Sequence, residues 1–438
     1  MTDAAPITPS ATQESGFEAR TYAKAAWRIV PLLFVCYVVS YLDRVNVGFA
    51  KLQMLSDLKF SESVYGLGAG IFFLGYFIFE VPSNLILHRV GARKWIARIM
   101  ITWGVISAAM SFVTTPGAFY VMRLLLGIAE AGFFPGIILY LTYWFPDERR
   151  GAITALFMTG IPIAGVVGGP LSGWILQSMS GARGLAGWQW LFVLEGIPSV
   201  VIGFLVLALL DDRIADARWL TADEKALLQE RISGDSSDTG KHESALHAFR
   251  SGRVWLLALI YFCLIMGLYG VSFWLPSIIK SLGIDSSSSV GLIYAIPYAT
   301  GTVAMILVGR SADARRERRW HIAVPCLLGA AGLIASVVFG SSAVAAIASL
   351  CLATMGILSA IPLFWSCPTA FLGGAAAAGG LALINSLGNL AGFVSPYMVG
   401  FIKDVTRSTD IGMYALAAFL CAAAILVVTG LPARLVNK

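Results

Sequence analysis

The sequence predicts an all-α, polytopic membrane protein with twelve transmembrane helices. Of its 438 residues, 58% are hydrophobic and only 13% are charged, and the mean hydropathy is +0.78. A soluble chain carries about 25% charged residues, so this composition excludes a disordered chain and most soluble enzymes. Each crossing needs about 20 apolar residues, so roughly twelve crossings and their loops fit a chain of this length.

The apolar runs are long and rich in small residues, which favours helices over the strands of a membrane barrel. A helix satisfies its own backbone hydrogen bonds in lipid, whereas barrel strands alternate over about ten residues. In chain order, the predicted spans cover residues 28–50, 63–87, 95–114, 117–144, 152–178, 188–210, 253–279, 288–309, 321–340, 343–365, 377–402 and 411–431.

Lysines and arginines are divided unevenly between the two predicted membrane faces. Of the 31, 23 lie on the face that carries both termini and the central loop, six lie on the opposite face, and two lie inside spans. Cytoplasmic loops carry such an excess, so we expect both termini to be cytoplasmic. The N-terminus lacks the basic-then-apolar pattern of a secretory signal.

A charged segment in the middle of the chain predicts two helical bundles joined by a loop. The predicted parts are a cytoplasmic N-terminal tail (1–27), an N-terminal six-helix bundle (28–210), a central cytoplasmic loop (211–252), a C-terminal six-helix bundle (253–431) and a cytoplasmic C-terminal tail (432–438). In the loop, Thr221 and Glu224 have capping-box spacing before an amphipathic helix over 222–232, and 234–240 has the composition of a flexible linker. We expect a tether between the bundles; a regulatory or partner-binding loop is the alternative.

The two halves of the chain also echo each other. Gly66-Leu67 near the start of span 2 recurs as Gly291-Leu292 near the start of span 8, and both spans end in a basic turn. A repeated half is expected of a carrier whose halves rock against each other. The two basic turns, 88–94 and 309–316, resemble the loop signature of the major facilitator superfamily.

Longer segments narrow the resemblance to the anion:cation symporter branch of that superfamily. They are 41–48 (YLDRVNVG), 79–84 (FEVPSN), 127–136 (GIAEAGFFPG) and 187–192 (GWQWLF). The first half is most similar to bacterial tartrate-type and aromatic-acid transporters. The resemblance implies two pseudo-symmetric six-helix bundles around a central cavity, a monomer in the bacterial cytoplasmic (inner) membrane, and proton-coupled movement of an organic anion.

The first-half turn departs from the superfamily pattern, in which an Asp and a leading Gly are usual. His88 stands at the Asp position and Asn84 at the first Gly position, whereas the second-half copy keeps Gly309 and Asp313. We expect gating or structural roles for Glu80, Arg89, Arg93 and Asp313.

Six ionisable residues fall inside the predicted spans: Asp43, Arg44, Glu80, Arg123, Glu130 and Glu195. A charge at a lipid-facing helix centre costs at least about 2.5–3.5 kcal/mol, so these side chains should face the protein interior or a water-filled cavity. Arg44 belongs to a polar stripe on span 1, and Asp43 lies about 100° away from it. The members of this stripe are Tyr37, Ser40, Tyr41, Arg44 and Gly48. For Glu195, on span 6, we expect a structural role.

The two arginines are predicted to bind an anion, because a planar guanidinium matches a carboxylate. Arg123 and Glu130 lie two turns apart on one face of span 4, and Gly127 between them is expected to leave open space. The alternatives are a helix-end ion pair of Asp43 with Arg44, and an ion pair that locks span 4 to another span.

Polar and aromatic residues complete the predicted substrate site. The family resemblance implies Tyr76 as a ligand. Asn385 and Asn389 lie on one face of span 11, where unpaired amides are costly, so we expect them to bind substrate or to hydrogen-bond another helix. The full predicted set is Tyr41, Arg44, Tyr76, Arg123, Tyr269, Trp365, Asn385 and Asn389.

Asp43 and Glu130 are the predicted proton-coupling residues. Importing a dianion against an inside-negative potential of 100 mV costs about 4.6 kcal/mol, so a co-moving cation is the simplest compensation. In this hypothesis Arg44 and Arg123 hold the carboxylates ionised until the substrate competes for the arginines. The released carboxylates then bind protons, and anion and proton binding reinforce each other.

The sequence therefore predicts alternating-access import of a small organic anion by proton symport. Among candidate substrates, a tartrate-like hydroxy-dicarboxylate is favoured first, aromatic carboxylates such as phthalate or hydroxyphenylacetate second, and sugar acids third. An exchanger on the same fold and a sensor that binds without transport are the alternatives. Expected partners are the anion, protons and the lipid bilayer, with no nucleic acid. We expect no metal and no cofactor beyond the coupling proton. We also expect that the chain is not an enzyme, since motifs such as HExxH and the phosphate loop are missing from the sequence.

Overall fold

The computed structural model describes residues 11–236, 250–371 and 374–437, and within these ranges all regular secondary structure is helical. The first half contains α1 (Ala11–Val45), α2 (Val47–Leu58), α3 (Glu62–Val90), α4 (Ala92–Ala109), α5 (Pro116–Glu130), α6 (Phe133–Thr142), α7 (Asp147–Met158), α8 (Gly160–Ser178) and α9 (Gly187–Leu209). A further helix, α10 (Ala222–Ser236), follows in the central loop.

The second half repeats this arrangement of long helices. It contains α11 (Gly252–Ser281), α12 (Ser287–Arg315), α13 (Arg319–Val338), α14 (Ala343–Phe364), α15 (Ser366–Phe371), α16 (Gly374–Asn389), α17 (Ala391–Thr406), α18 (Asp410–Gly430) and α19 (Ala433–Val436).

The predicted all-α membrane fold is confirmed. Eleven stretches of the described residues are long and apolar enough to cross a membrane. The remaining predicted span, the eleventh (377–402), corresponds to α16 and α17, two helices of 16 residues each that are separated at Leu390. Each of these helices alone is shorter than a crossing needs, but together they match one.

Several predicted spans are two helices joined by a break. Span 1 is divided into α1 and α2 at Asn46, and span 4 into α5 and α6 at Ala131 and Gly132. Gly132 has φ +80°, and a Cβ there would lie 2.5 Å from the Ser83 hydroxyl, so both the backbone conformation and the space favour glycine. These breaks place Arg44 and Glu130 at the ends of α1 and α5.

The first predicted boundary is not a structural one, because helix α1 begins at Ala11 rather than near residue 28. Tyr22 is buried and packs on Phe145, with ring centroids 6.3 Å apart. The described part of the predicted tail is therefore a helical extension of span 1 that packs against the bundle.

The predicted capping box and helix of the central loop are both present. The Thr221 backbone N–H donates to the Glu224 carboxylate at 2.8 Å, and the Glu224 N–H donates to the Thr221 hydroxyl at 3.3 Å. Lys24 of α1 forms an ion pair with Glu224 at 2.8 Å, so α10 is attached to the first half. Of the predicted linker, 234–236 continue α10, and 237–240 lie outside the described residues.

The two halves meet along two seams of small residues. In one seam α8 lies against α12, and a Cβ on Gly169 would lie 2.6 Å from the Gly291 carbonyl oxygen. In the other, α3 lies against α17, and a Cβ on Gly66 would lie 2.5 Å from the Pro396 carbonyl oxygen. Glycine is thus required at both seams for the backbones to approach this closely.

Candidate functional site

A cavity lies between the two halves. Its volume, counted as the space that the centre of a water molecule can occupy, is about 50 Å³. One water needs about 10–15 Å³ by this measure, so the cavity has room for a few waters. Both halves contribute to its wall, and Arg44 is the one charged side chain among the described residues that line it. The lining residues are Tyr37, Arg44, Tyr76, Phe134, Met158, Ile161, Tyr261, Ile265, Leu268, Tyr269, Ile361, Trp365, Asn385 and Asn389.

Six of the eight predicted substrate-binding residues are brought together at this cavity: Arg44, Tyr76, Tyr269, Trp365, Asn385 and Asn389. Tyr41 and Arg123 are not among the described residues that line it. The sequence analysis did not select the remaining lining residues as ligands. Tyr37 could have been found, because it shares the polar stripe of Arg44, whereas the aliphatic lining residues carry no distinguishing signal.

Arg44 lies in the last turn of α1, and its guanidinium is held from several sides. One Nη forms an ion pair with Glu130, and the other donates to the Tyr269 hydroxyl at 2.9 Å. The guanidinium carbon lies 5.4 Å from the Phe72 ring centroid and 5.5 Å from that of Tyr76. Its Nε is buried without a hydrogen-bond partner among the described residues, so a donor stays free beside the cavity.

Glu130 ends α5 and is 1% exposed. The carboxylate oxygen that pairs with Arg44 also accepts a hydrogen bond from Ser40, one turn earlier on α1, at 2.7 Å. The predicted contact between a cavity arginine and a coupling carboxylate is therefore present for this pair.

Asp43 points away from the cavity into the first half. Its carboxylate accepts hydrogen bonds from Trp103 Nε1 at 3.0 Å, from the Ser107 hydroxyl at 2.8 Å and from Ser199. These donors are neutral, and no arginine or lysine pairs with Asp43 in the described part of the chain. The expectation that an arginine holds this carboxylate is therefore wrong here, and Asp43 links α1 to α4 and α9.

Arg123 is fully buried, and its placement differs from the predicted one. Nε and Nη2 each donate at 3.2 Å to backbone carbonyls of α3, those of Gly68 and Ala69. The open space expected at Gly127 is filled, because a Cβ there would overlap the Phe72 carbonyl oxygen. Close packing of α5 on α3 therefore directs this side chain into a helix contact instead of the cavity.

Tyr41 is also displaced from the predicted site. Its hydroxyl lies 3.1 Å from that of Ser272, which lies 2.8 Å from the Tyr298 hydroxyl. This chain of hydroxyls joins α1 to α11 and α12, so Tyr41 connects the two halves outside the cavity.

Asn385 combines the two roles that were left open for it. It lines the cavity, and its Nδ2 donates to the Glu80 carboxylate at 2.8 Å, while Ser386 donates to the other oxygen at 3.3 Å. Glu80 belongs to the first half and both donors to the second, so this contact crosses between the halves beside the cavity. The gating or structural role predicted for Glu80 stays a prediction.

The remaining predicted gating residues lie at the end of the bundle where α1 begins. Arg89 and Arg93 are exposed, and the Arg93 backbone N–H donates to the Asp212 carboxylate at 2.8 Å. Asp313 forms an ion pair with Arg318 within its own half. His88, at the usual Asp position, lies 3.2 Å from the Tyr143 hydroxyl.

Two helical halves enclosing a polar cavity with one arginine define a multi-pass membrane carrier. The sequence profile of the Major Facilitator Superfamily matches residues 33–396, and the chain belongs to this family. The resemblance noted from the loop signatures is thereby confirmed. Family and relatives are transporters, a class distinct from enzymes.

Sequence similarity to other proteins covers nearly the whole chain. A "Putative metabolite transport protein NicT" of Pseudomonas putida is 47% identical, covering 99% of this chain and 100% of the relative. A "Putative tartrate transporter" of Agrobacterium vitis is 50% identical, covering 93% and 91%. The solved inward open conformation of the xylose transporter XylE from Escherichia coli has a TM-score of 0.76 at 15% identity, covering 93% and 96%. The last likeness concerns the fold alone. The Pseudomonas putida and Agrobacterium vitis relatives support a transporter of small organic substrates.

Proposed function

We propose that the chain imports a small organic anion by proton symport with alternating access, and that a tartrate-like hydroxy-dicarboxylate is the favoured substrate. The observation that carries the proposal is the Arg44–Glu130 ion pair beside the cavity. Arg44 is the charged group that an anion meets there, and a guanidinium fork suits a carboxylate.

The pairing couples the anion to a proton. With Glu130 ionised, the pair is neutral, and an incoming carboxylate adds a second negative charge next to a buried one. Like charges in a low-dielectric site repel strongly, which favours the neutral form of one of them. A proton on Glu130 removes this repulsion and frees Arg44 for the substrate, so each ligand raises the affinity for the other.

Coupling in this form needs one cavity arginine rather than two. Arg123 is engaged with the α3 backbone, so we assign the anion to Arg44 and not to Arg123. Asp43 stays a proposed second proton carrier, since a buried carboxylate with only neutral donors is costly when ionised.

The polar groups around Arg44 support a substrate that bears hydroxyl groups. Because the Asn385 nitrogen faces the Glu80 carboxylate, its carbonyl oxygen remains to accept a hydrogen bond from a ligand. Asn389 and the hydroxyls of Tyr37, Tyr76 and Tyr261 add further partners. The Agrobacterium vitis relative, named as a tartrate transporter, adds independent support for tartrate.

Aromatic carboxylates are the second candidate, and sugar acids the third. The observation that favours the aromatic acids is the number of rings in the cavity wall, where four tyrosines, Phe134 and Trp365 occur. The ring of an aromatic acid can pack against these side chains, and each aromatic pair contributes about 0.5–1.5 kcal/mol in addition to the burial of apolar surface. We further propose a bacterial inner-membrane location with cytoplasmic termini, a monomer, and no bound cofactor.

Uptake of radiolabelled L-tartrate into proteoliposomes under an imposed pH gradient tests the proposal, with phthalate and galactonate as further probes. We expect gradient-driven accumulation without internal substrate, which an exchanger does not show. Glu130→Gln should abolish accumulation while leaving substrate exchange. Glu195→Gln is the matched control, because Glu195 is also buried and its carboxylate accepts a hydrogen bond from Ser172 at 2.6 Å, outside the cavity. Full accumulation by Glu130→Gln would refute the assignment.

A further inference from the structure

Four charged residues and one tryptophan meet at the end of the molecule opposite to the start of α1. Lys51 of α2 and Glu62 of α3 belong to the first half; Trp274 of α11, with Lys403 and Asp404 of α17, belongs to the second. We call these five residues the outer cluster. The sequence analysis counted its lysines only as charges of the less basic face.

Glu62 holds a lysine from each half. Its two carboxylate oxygens lie 2.6 Å from Lys51 Nζ and 2.6 Å from Lys403 Nζ. Lys51 is 4% exposed, and burying a cation is costly unless it is paired. Lys403 comes from the opposite half and remains partly exposed. One carboxylate thus joins the halves while it neutralises a buried amine.

Asp404 adds a second connection, to the backbone of α3. Its carboxylate oxygens accept hydrogen bonds from the Glu62 N–H at 3.2 Å and from the Ser63 N–H at 2.8 Å. These are first-turn donors of α3 that lack partners within their own helix, and a negative charge is favoured at this position. A helix of one half is therefore capped by a side chain of the other.

Trp274 adds a third connection. Lys51 Nζ lies 3.4 Å from the Trp274 ring centroid and 4.7 Å from that of Tyr65 in its own half. A cation over an indole face is attracted most strongly when both are desolvated. If the halves separated at this end, Lys51 would lose the indole and gain water.

All three connections exist only while the halves touch at this end. They lie directly beside the seam of α3 and α17, where Gly400 packs with a would-be Cβ 2.5 Å from the Glu62 carbonyl oxygen. We propose that the outer cluster is an electrostatic lock that holds this mouth of the carrier closed, and that its opening sets the population of the conformation open on this side. Interactions made in one of two states shift the equilibrium by their differential free energy.

The test measures the distance across the mouth in purified full-length protein, and it needs no substrate. Spin labels are placed at Ser56→Cys of α2 and Arg407→Cys after α17, both exposed, with the six native cysteines replaced. Lys403→Gln and Asp404→Asn each remove one connection and leave the buried Lys51–Glu62 pair intact. Asp57→Asn is the control: its carboxylate accepts from Trp188 Nε1 at 2.9 Å, a contact within the first half.

We expect Lys403→Gln and Asp404→Asn to add a longer-distance population and to raise its share roughly tenfold, as for the loss of one charge-assisted hydrogen bond. Asp57→Asn should keep the wild-type distribution. Unchanged distributions in both lock variants would overturn the proposal and identify the cluster as a static contact. Since Lys403 is partly exposed, its variant should fold even if the Asp404 variant does not. The two proposals fail separately. Absence of proton-driven uptake in a protein whose lock variants shift the distances would refute the proposed function alone, and unchanged distances in a protein that performs symport would refute the lock alone.

Discussion

Replacing Arg44 by glutamine tests the anion site with a magnitude that follows from the structure. The substitution removes the charged side chain of the cavity wall, its hydrogen bond to Tyr269 and its ion pair with Glu130. Truncating one partner of a buried charge pair costs about 2–5 kcal/mol in binding. Anion affinity should therefore fall at least about 30-fold, since each 1.4 kcal/mol is a factor of ten.

The fold should survive this change, because glutamine keeps most of the side-chain volume and the Glu130 carboxylate still accepts a hydrogen bond from Ser40. Isothermal titration of the purified protein with L-tartrate, or with the organic acid that raises the melting temperature most in a panel, measures the affinity. Arg123→Gln is the matched control. It should lower the melting temperature, because two buried backbone contacts are lost, yet keep wild-type affinity in the folded fraction. Retained affinity in Arg44→Gln, or lost affinity in Arg123→Gln, would refute the assignment of the anion to Arg44.

Three further outcomes follow from packing and charge. Gly127→Ala should destabilise the protein by about 3 kcal/mol or more, because its methyl group overlaps the Phe72 carbonyl oxygen; an unchanged melting temperature would show that α5 and α3 do not pack this closely. Tyr41→Phe should lower stability by about 1 kcal/mol and leave anion affinity unchanged, since Tyr41 lies outside the cavity; a large affinity loss by titration would return it to the site. The Lys24 side chain, by hydrogen bonding, lowers the pKa of Glu224, so their contact stabilises above the ordinary carboxyl pKa of about 4.3 and is lost as pH falls through the lowered value. Amide exchange of α10 should therefore be faster in Glu224→Gln than in wild type at neutral pH, with the difference vanishing in acid, and a pH-independent difference would contradict this.

The fold could be predicted almost entirely from the sequence, because the bilayer imposes helices and their length. The long apolar run that became α11, predicted over 253–279, differs by few residues from Gly252–Ser281. Helix breaks were harder. Asn46 and the Ala131–Gly132 break lie inside apolar runs, where hydropathy does not change and only the packing of neighbouring helices decides the backbone conformation.

The candidate site was predicted where one helix face determines it. Arg44 and Tyr37, two members of the stripe on α1, line the cavity as expected, whereas Tyr41 of the same stripe contacts Ser272 instead. Arg123 was misplaced because its environment depends on another helix: the carbonyls at Gly68 and Ala69 are within reach only since α3 packs closely on α5. A sequence pattern on α5 alone does not contain that distance.

The outer cluster was missed for a related reason. Lys51 and Lys403 are separated by most of the chain and each lies near a predicted loop, where a lysine is usually solvated. Only the approach of α3 to α17 makes Glu62 their common partner. Contacts between the halves depend on how two bundles dock, and span counting does not address this.

Proton uptake on anion binding tests the central claim most directly, namely that Glu130 exchanges Arg44 for a proton when the substrate arrives. The pH change is recorded in weakly buffered detergent solution as L-tartrate, or the best-binding acid of the panel, is added to purified protein. Wild type should take up about one proton from solution, onto Glu130, for each anion bound, and Glu130→Gln should bind the anion without this uptake. Equal uptake by wild type and Glu130→Gln would contradict the account.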